Sequence, residues 1–363
     1  MNICLTNISA LQFWRSTFAC KLAGKPAPFW EADTPDRPIL SFPTTLQNEF
    51  EMTGKTIFLS KKKIERISFK KQETSKLSPY EITLPLHVIT SQEMVPGKRK
   101  GLCYHTGQQF FRTIEPTCGL RVISPEGCFI SLASSLDLID LVLIGYEFCG
   151  YYALANNNSG YSTRKQLTSK ERLRKAIVNH GSFHGVQRAR KAICIIENGS
   201  NSPMETVNAI LMFAPHKLGG ANLKHAQLNA NITLPTTSFR AKPSIRTCDF
   251  LWKNGNVDLE YIGFEPHSTK AQQTKDSKRF REMEEIGIDC IEITHDTMMD
   301  IAEMNAIYKR IAGKTGQKFK PRCADFHARQ FDLFSKLVPG FAEFNARYDS
   351  TKFDFTKFDS RIF

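Results

Sequence analysis

Three carboxylates in the second half of the chain have the types and spacing of a small metal-ion site. Glu205 stands in Ser202-Pro203-Met204-Glu205-Thr206, Asp249 in Thr247-Cys248-Asp249-Phe250-Leu251-Trp252, and Glu260 in Val257-Asp258-Leu259-Glu260-Tyr261-Ile262-Gly263. Carboxylates on neighbouring strands raise one another's pKa unless a proton or a cation separates them. Mg2+ or Mn2+ resolves that conflict, because hard cations take oxygen ligands and retain waters. Such an ion activates water and stabilises charge on a scissile phosphate. Structural readings of the same residues stand beside this one. Ser202-x-x-Glu205 has the form of a capping box, and carboxylates at strand ends are common on surfaces.

The elements that must position these groups are legible around them. Ser202 suits a helix cap, Pro203 a first turn, and Val207, Ile210 and Leu211 recur at helical spacing, so residues 202–213 are expected to be a helix. Extended segments follow at 228–234 and 248–252, the turn Lys253-Asn254-Gly255-Asn256 folds the chain back, and 257–262 returns as a strand. Alternation places Asp258, Glu260 and Ile262 on one side of that strand and lets Asp249 and Glu260 approach across the hairpin. A helix over 274–286, with Phe280, Met283 and Ile286 on its apolar side and Gly287 ending it, leads to a last strand at 288–294.

The ordered set Ser-Pro-Met-Glu-Thr, Cys-Asp-Phe-Leu-Trp, Leu-Glu-Tyr-Ile-Gly-Phe-Glu-Pro-His, Lys275-Asp276-Ser277-Lys278-Arg279 and Glu285-Ile286-Gly287 resembles the bacterial endonuclease-like domain related to the Vsr mismatch nucleases, a branch of the PD-(D/E)XK superfamily. The resemblance covers about residues 200–296 and implies an α-β-β-β-α-β core. It implies Glu205, Asp249 and Glu260 as ligands of Mg2+ or Mn2+, with His267 as a further catalytic residue. Asp276 is another active-site or phosphate-contacting position, and Lys270, Lys275, Lys278 and Arg279 would contact DNA phosphate. One departure stands out. Where the superfamily has E-x-K, and this branch E-Y-D-G, the chain has Glu260-Tyr261-Ile262-Gly263, and Ile262 offers neither a ligand nor a proton. Further upstream, Leu86-His87-Val88, Cys103-Tyr104-His105 and Leu120-Arg121-Val122-Ile123-Ser124-Pro125 resemble more weakly the front half of chains with an AbiEi-type antitoxin region.

The rest of the chain bounds these readings. Its 363 residues, 41% hydrophobic, suffice for two domains with their own cores. A net charge of +13 favours a polyanionic partner, nucleic acid and DNA first, through release of counterions from phosphate. Basic runs at Lys61–Lys71 and Lys98–Lys100 read either as a phosphate-facing patch or as a solvated face. The ten cysteines never form a C-x-x-C pair, which argues against a zinc knuckle or redox motif and for reduced thiols in a cytoplasm. The longest apolar stretch, 136–154, is interrupted by Asp137, Asp140 and Glu147, so no membrane partner is expected.

Further elements are expected in chain order. A short helix contains Leu11, Trp14 and Phe18, and strands cover 56–59, 64–69 and 86–90. Ser124-Pro125-Glu126 opens one or two buried helices that run to Leu154, and 156–163 is a loop. Thr168-Ser169-Lys170-Glu171 has the form of a capping box, and a further helix follows Gly185. The fold class is therefore α/β, of the α+β kind, with a mixed α+β domain at 1–160, a helical connector at 161–200, the endonuclease-like domain at 201–312 and, at 313–363, a basic, aromatic tail that repeats Thr-Lys-Phe-Asp. The function expected is Mg2+-dependent DNA hydrolysis, in a toxin–antitoxin or phage-defence setting that includes a toxin or other protein partner. The alternative is an inactive, AbiEi-like antitoxin or DNA-binding regulator that keeps the nuclease fold.

Overall fold

The computed structural model describes residues 3–16, 19, 39–41, 82, 85–89, 102–105, 111–117, 120–156, 160–234, 244–262 and 281–348. The expected strands at 56–59 and 64–69, the basic runs at 61–71 and 98–100, and the Thr-Lys-Phe-Asp repeat beyond 350 lie outside these residues. The architecture is mixed α and β, and its contacts divide the chain into two units at Asn198/Gly199. Among the described residues no helix is long and apolar enough to cross a membrane.

The first unit is built on a six-stranded mixed sheet. Its strands are β1 (Ile3–Leu5), β2 (Ile39–Ser41), β3 (Leu86–Ile89), β4 (Leu102–His105), β5 (Thr113–Thr117) and β6 (Leu120–Ile123), in the order β2-β5-β6-β1-β3-β4. Helix α1 (Asn7–Arg15) supplies the core with Phe13 and Trp14, and the Trp14 indole donates to the Ile123 carbonyl at 3.0 Å. The apolar run after Ser124 becomes two helices, α2 (Pro125–Leu132) and α3 (Leu138–Cys149). Ser124 caps the first by accepting from the Gly127 N–H, as its sequence position implies. Glu147 of α3 is 1% exposed and is neutralised by Arg15 at 2.6 Å, a buried pair that also fixes α1 against α3.

Two local expectations shift. Residues 161–163 are strand β8 (Tyr161–Thr163), paired with β7 (Tyr152–Leu154), where a loop was expected, because antiparallel pairing satisfies backbone groups of both segments at once. Helix α4 (Lys170–Asn179) is capped by Ser169, whose hydroxyl accepts from the Arg172 N–H, while the Thr168 hydroxyl donates to Glu126 at 2.5 Å. A buried carboxylate takes the residue that the sequence pattern assigns to the cap. Helix α5 (Val186–Ala192) follows Gly185 as expected. Gly185 has φ +90, and a Cβ there would lie 2.6 Å from the Ala133 backbone. Both helices pack on α2 and α3, so the segment 161–198 belongs to the first unit's body.

The second unit opens with α6 (Pro203–Phe213) and continues with the antiparallel strands β9 (Gln227–Leu234), β10 (Ser244–Trp252) and β11 (Val257–Ile262). The backbone is helical again over 281–285, and β12 (Asp289–Thr294) then joins β11 in parallel, giving the order β12-β11-β10-β9. A parallel neighbour cannot be reached by a tight turn, which is why a helix-bearing crossover stands between β11 and β12. Phe213 of α6 sets its ring edge-on against Phe250 and Trp252. Helices α7 (His295–Met299) and α8 (Ile301–Thr315) follow β12, and the described part of the expected tail, 313–348, carries α9 (Phe326–Leu337) and α10 (Phe341–Tyr348). Helix α9 docks on α6 and on the 3-10 turn His216–Leu218.

Candidate metal and phosphodiester site

Glu205 is the third residue of α6 and is 8% exposed. Ser202 accepts from its backbone N–H at 3.1 Å, so the cap expected from the sequence is present. Its carboxylate is committed at Oε2, which accepts from the Asn201 N–H at 2.8 Å and from the Asn229 amide at 2.6 Å. Burial pushes the Glu205 carboxyl above its ordinary range. The charge of Asp249 pushes it further, against the bonds from Asn201 and Asn229. Glu205 and Asp249 therefore sense each other, as a shared site requires.

Asp249 is half-buried on β10, and its Oδ2 accepts from the Tyr261 backbone N–H of β11 at 3.0 Å. The hairpin register pairs Phe250 with Leu259, Leu251 with Asp258 and Trp252 with Val257. Strand β10 does not alternate simply at this point. Cys248 packs in one cluster with Leu251, Met283 and Ile288, although Cys248 and Leu251 are three apart. Between the pairs Cys248–Ala230 and Phe250–Leu228, residue Asn229 of β9 has φ +50, a left-handed conformation that Asn tolerates. Local irregularity of this kind re-aims side chains at a strand.

The consequence is a group that sequence reasoning missed. Cys248, Asp258 and Glu260, which are 0%, 1% and 6% exposed, place one ligand atom each within 4.8 Å of the others, the one such group of three among the described residues. The Cys248 thiol is pushed well above its usual range by burial, with Asp258 and Glu260 adding to the effect, so it is a thiol rather than a thiolate here. Glu260 is thus grouped with Cys248 and Asp258, and Glu205 with Asp249. The i, i+2 spacing of Asp258 and Glu260 already signalled their common side. Nothing in the spacing signalled Cys248.

Ile262 is half-buried at the end of β11, opposite Thr294 of β12. His267, Lys270, Lys275, Asp276, Lys278 and Arg279 lie outside the described residues.

The donor set fits a hard divalent cation in one respect. Mg2+ accepts one or two direct carboxylates and keeps its remaining waters. Glu205, which receives Asn201 and Asn229 at Oε2, has Oε1 to offer beside Asp249. Compared with protein-family models, with curated proteins and with solved structures, the chain matches none.

Proposed function

We propose that the second unit is a phosphodiesterase domain of the PD-(D/E)XK kind that acts on DNA with Mg2+ or Mn2+. One observation carries the reading: the first turn of α6 and strand β10 bring Glu205 and Asp249 within electrostatic reach of each other. The order helix, three antiparallel strands, helical crossover and parallel strand supports it, being the order such a core requires. Glu205 and Asp249 would hold the ion, which when bound supplies Lewis-acid stabilisation of charge on a scissile phosphate. The chain itself fixes the ligands. The Tyr261 N–H orients Asp249, and Asn201 with Asn229 orient Glu205.

Ile262 favours a second reading, in which the domain binds DNA without cutting it, as an antitoxin-like regulator does. Supercoiled plasmid with the full chain and Mg2+ or Mn2+ separates the two. Nicking that Asp249→Asn reduces by about 100-fold or more, as loss of a catalytic metal ligand should, supports hydrolysis. Salt-sensitive duplex binding with no nicking in either metal supports the regulator. Nicking that survives Asp249→Asn removes this site from the reaction.

A further inference from the structure

Two imidazoles of the first unit meet on neighbouring strands of its sheet. His87 on β3 and His105 on β4 approach with His87 Nδ1 2.9 Å from His105 Nε2, their rings stacked at a centroid distance of 5.1 Å. The strands are parallel, with Cys103 the register partner of His87 and His105 two residues further on. Alternation therefore puts His87, Cys103 and His105 on one face of the sheet. The opposite face carries Leu86 and Val88 into the core, at 2% and 8% exposure, whereas the three ligand-type residues are half-buried. The backbone beneath them is tied down. The His87 N–H donates to the Ser9 hydroxyl at 2.9 Å, and its carbonyl accepts from the Thr6 N–H at 3.0 Å.

We propose that His87, His105 and Cys103 form a binding site for a borderline divalent cation of the Zn2+ type. Two imidazoles and a sulfur are donors that suit zinc and disfavour Mg2+, which wants oxygen. Nitrogens bound to one tetrahedral Zn2+ lie about 3.3 Å apart, given Zn–N bonds of about 2.0–2.1 Å. The pair at 2.9 Å needs to open by only roughly 0.4 Å. Burial lowers the pKa of both histidines, and the neighbouring His87 lowers that of His105 further, so both are held in the neutral form that binds metal. The ligand atoms of the three do not lie within 4.8 Å of one another as they stand, so metal binding requires the Cys103 side chain, on the same face of the sheet, to turn towards the imidazoles. Binding releases the thiol proton to solvent, while the proton between the imidazoles moves to the other nitrogen of its own ring, so both rings stay neutral. Three protein ligands leave the fourth position open to water.

The test uses the full chain, Zn2+ itself and alkylation by iodoacetamide, read cysteine by cysteine in a mass-spectrometric digest. One equivalent of Zn2+ should slow modification of Cys103 by about tenfold or more, a margin set by an affinity gain of about 1.4 kcal/mol per tenfold, whereas Mg2+ should not. His87→Gln with His105→Gln should abolish that protection. The buried thiols Cys128 and Cys149 report folding in the same digest. Should the double variant expose them, His105→Gln alone carries the comparison. Equal Cys103 rates with and without Zn2+ would reduce the pair to a plain hydrogen bond between rings. Protection that persists without the imidazoles would place the metal elsewhere; either result overturns the site.

Discussion

Glu205 illustrates how one side chain serves two ends. It accepts from the Asn201 N–H, one residue before the Ser202 cap, and as a buried carboxylate beside Asp249 it is held partly against its charge. A carboxyl whose pKa is raised in the fold binds its proton more tightly there than in the unfolded chain. Its cost is therefore absent below the unfolded value of about 4.3 and complete above the folded one. In metal-free protein, Glu205→Gln is expected to raise the urea midpoint near pH 7. The gap from the unsubstituted chain should close as the pH falls towards about 4. A gap that is constant with pH would mean that the raised carboxyl is not the cause. Added Mg2+ should reverse the order at neutral pH, because the ion stabilises only the chain that keeps the ligand.

Among the elements, the contrast lies between α6 with its hairpin and the C-terminal helices. Helix α6 is set locally, by Ser202, Pro203 and its apolar spacing. Helix α9 is held by tertiary contacts that no local pattern announces. Gln330, fully buried, exchanges reciprocal hydrogen bonds with Asn305, and Arg329 donates to the Lys217 carbonyl at 2.7 Å. The docking depends on Gly219, which has φ +88 and leaves room for the Arg329 carbonyl only 2.2 Å from where a Cβ would stand. Gly219→Ala meets backbone on one side and left-handed strain on the other, at a cost of about 2 kcal/mol or more. Limited proteolysis should then cut within residues 326–348 at enzyme levels that leave the unsubstituted protein intact. An unchanged digest would mean that α9 docks without needing the glycine.

Across the whole molecule the charge is uneven. Residues 1–198 hold 26 of the 49 basic and 16 of the 36 acidic residues, a balance of +10 that leaves +3 for residues 199–363. On charge alone, any polyanionic partner is expected at the unit that does not carry the carboxylate site. Exposed cations on α4 and α5, Arg174, Lys175, Arg190 and Lys191, are suited to the task. Replacing all four by Ala should weaken duplex binding uniformly over sequence and flatten its salt dependence by about 0.9 in log–log slope for each phosphate no longer neutralised. The variant should leave intact any nicking seen at DNA concentrations that saturate it. Duplex affinity insensitive to both salt and the substitutions would remove nucleic acid as the partner of this face.

What the sequence by itself determined was local. Caps at Ser124 and Ser202, the hairpin turn at 253–256 and the strand 257–262 follow from residues a few positions apart, and the structure places each where it was expected. The same holds for Asp258 and Glu260 sharing a side, since alternation along one regular strand needs no partner. The company of Glu260 was decided only by the tertiary structure. Asn229, on a different strand from Cys248, departs from extended backbone, and Cys248 is found with Leu251, Asp258 and Glu260. A left-handed residue costs little for Asn and leaves no periodic mark. Which carboxylates meet a thiol and which meet each other is thus set by pairing between strands, an interaction that local spacing does not encode.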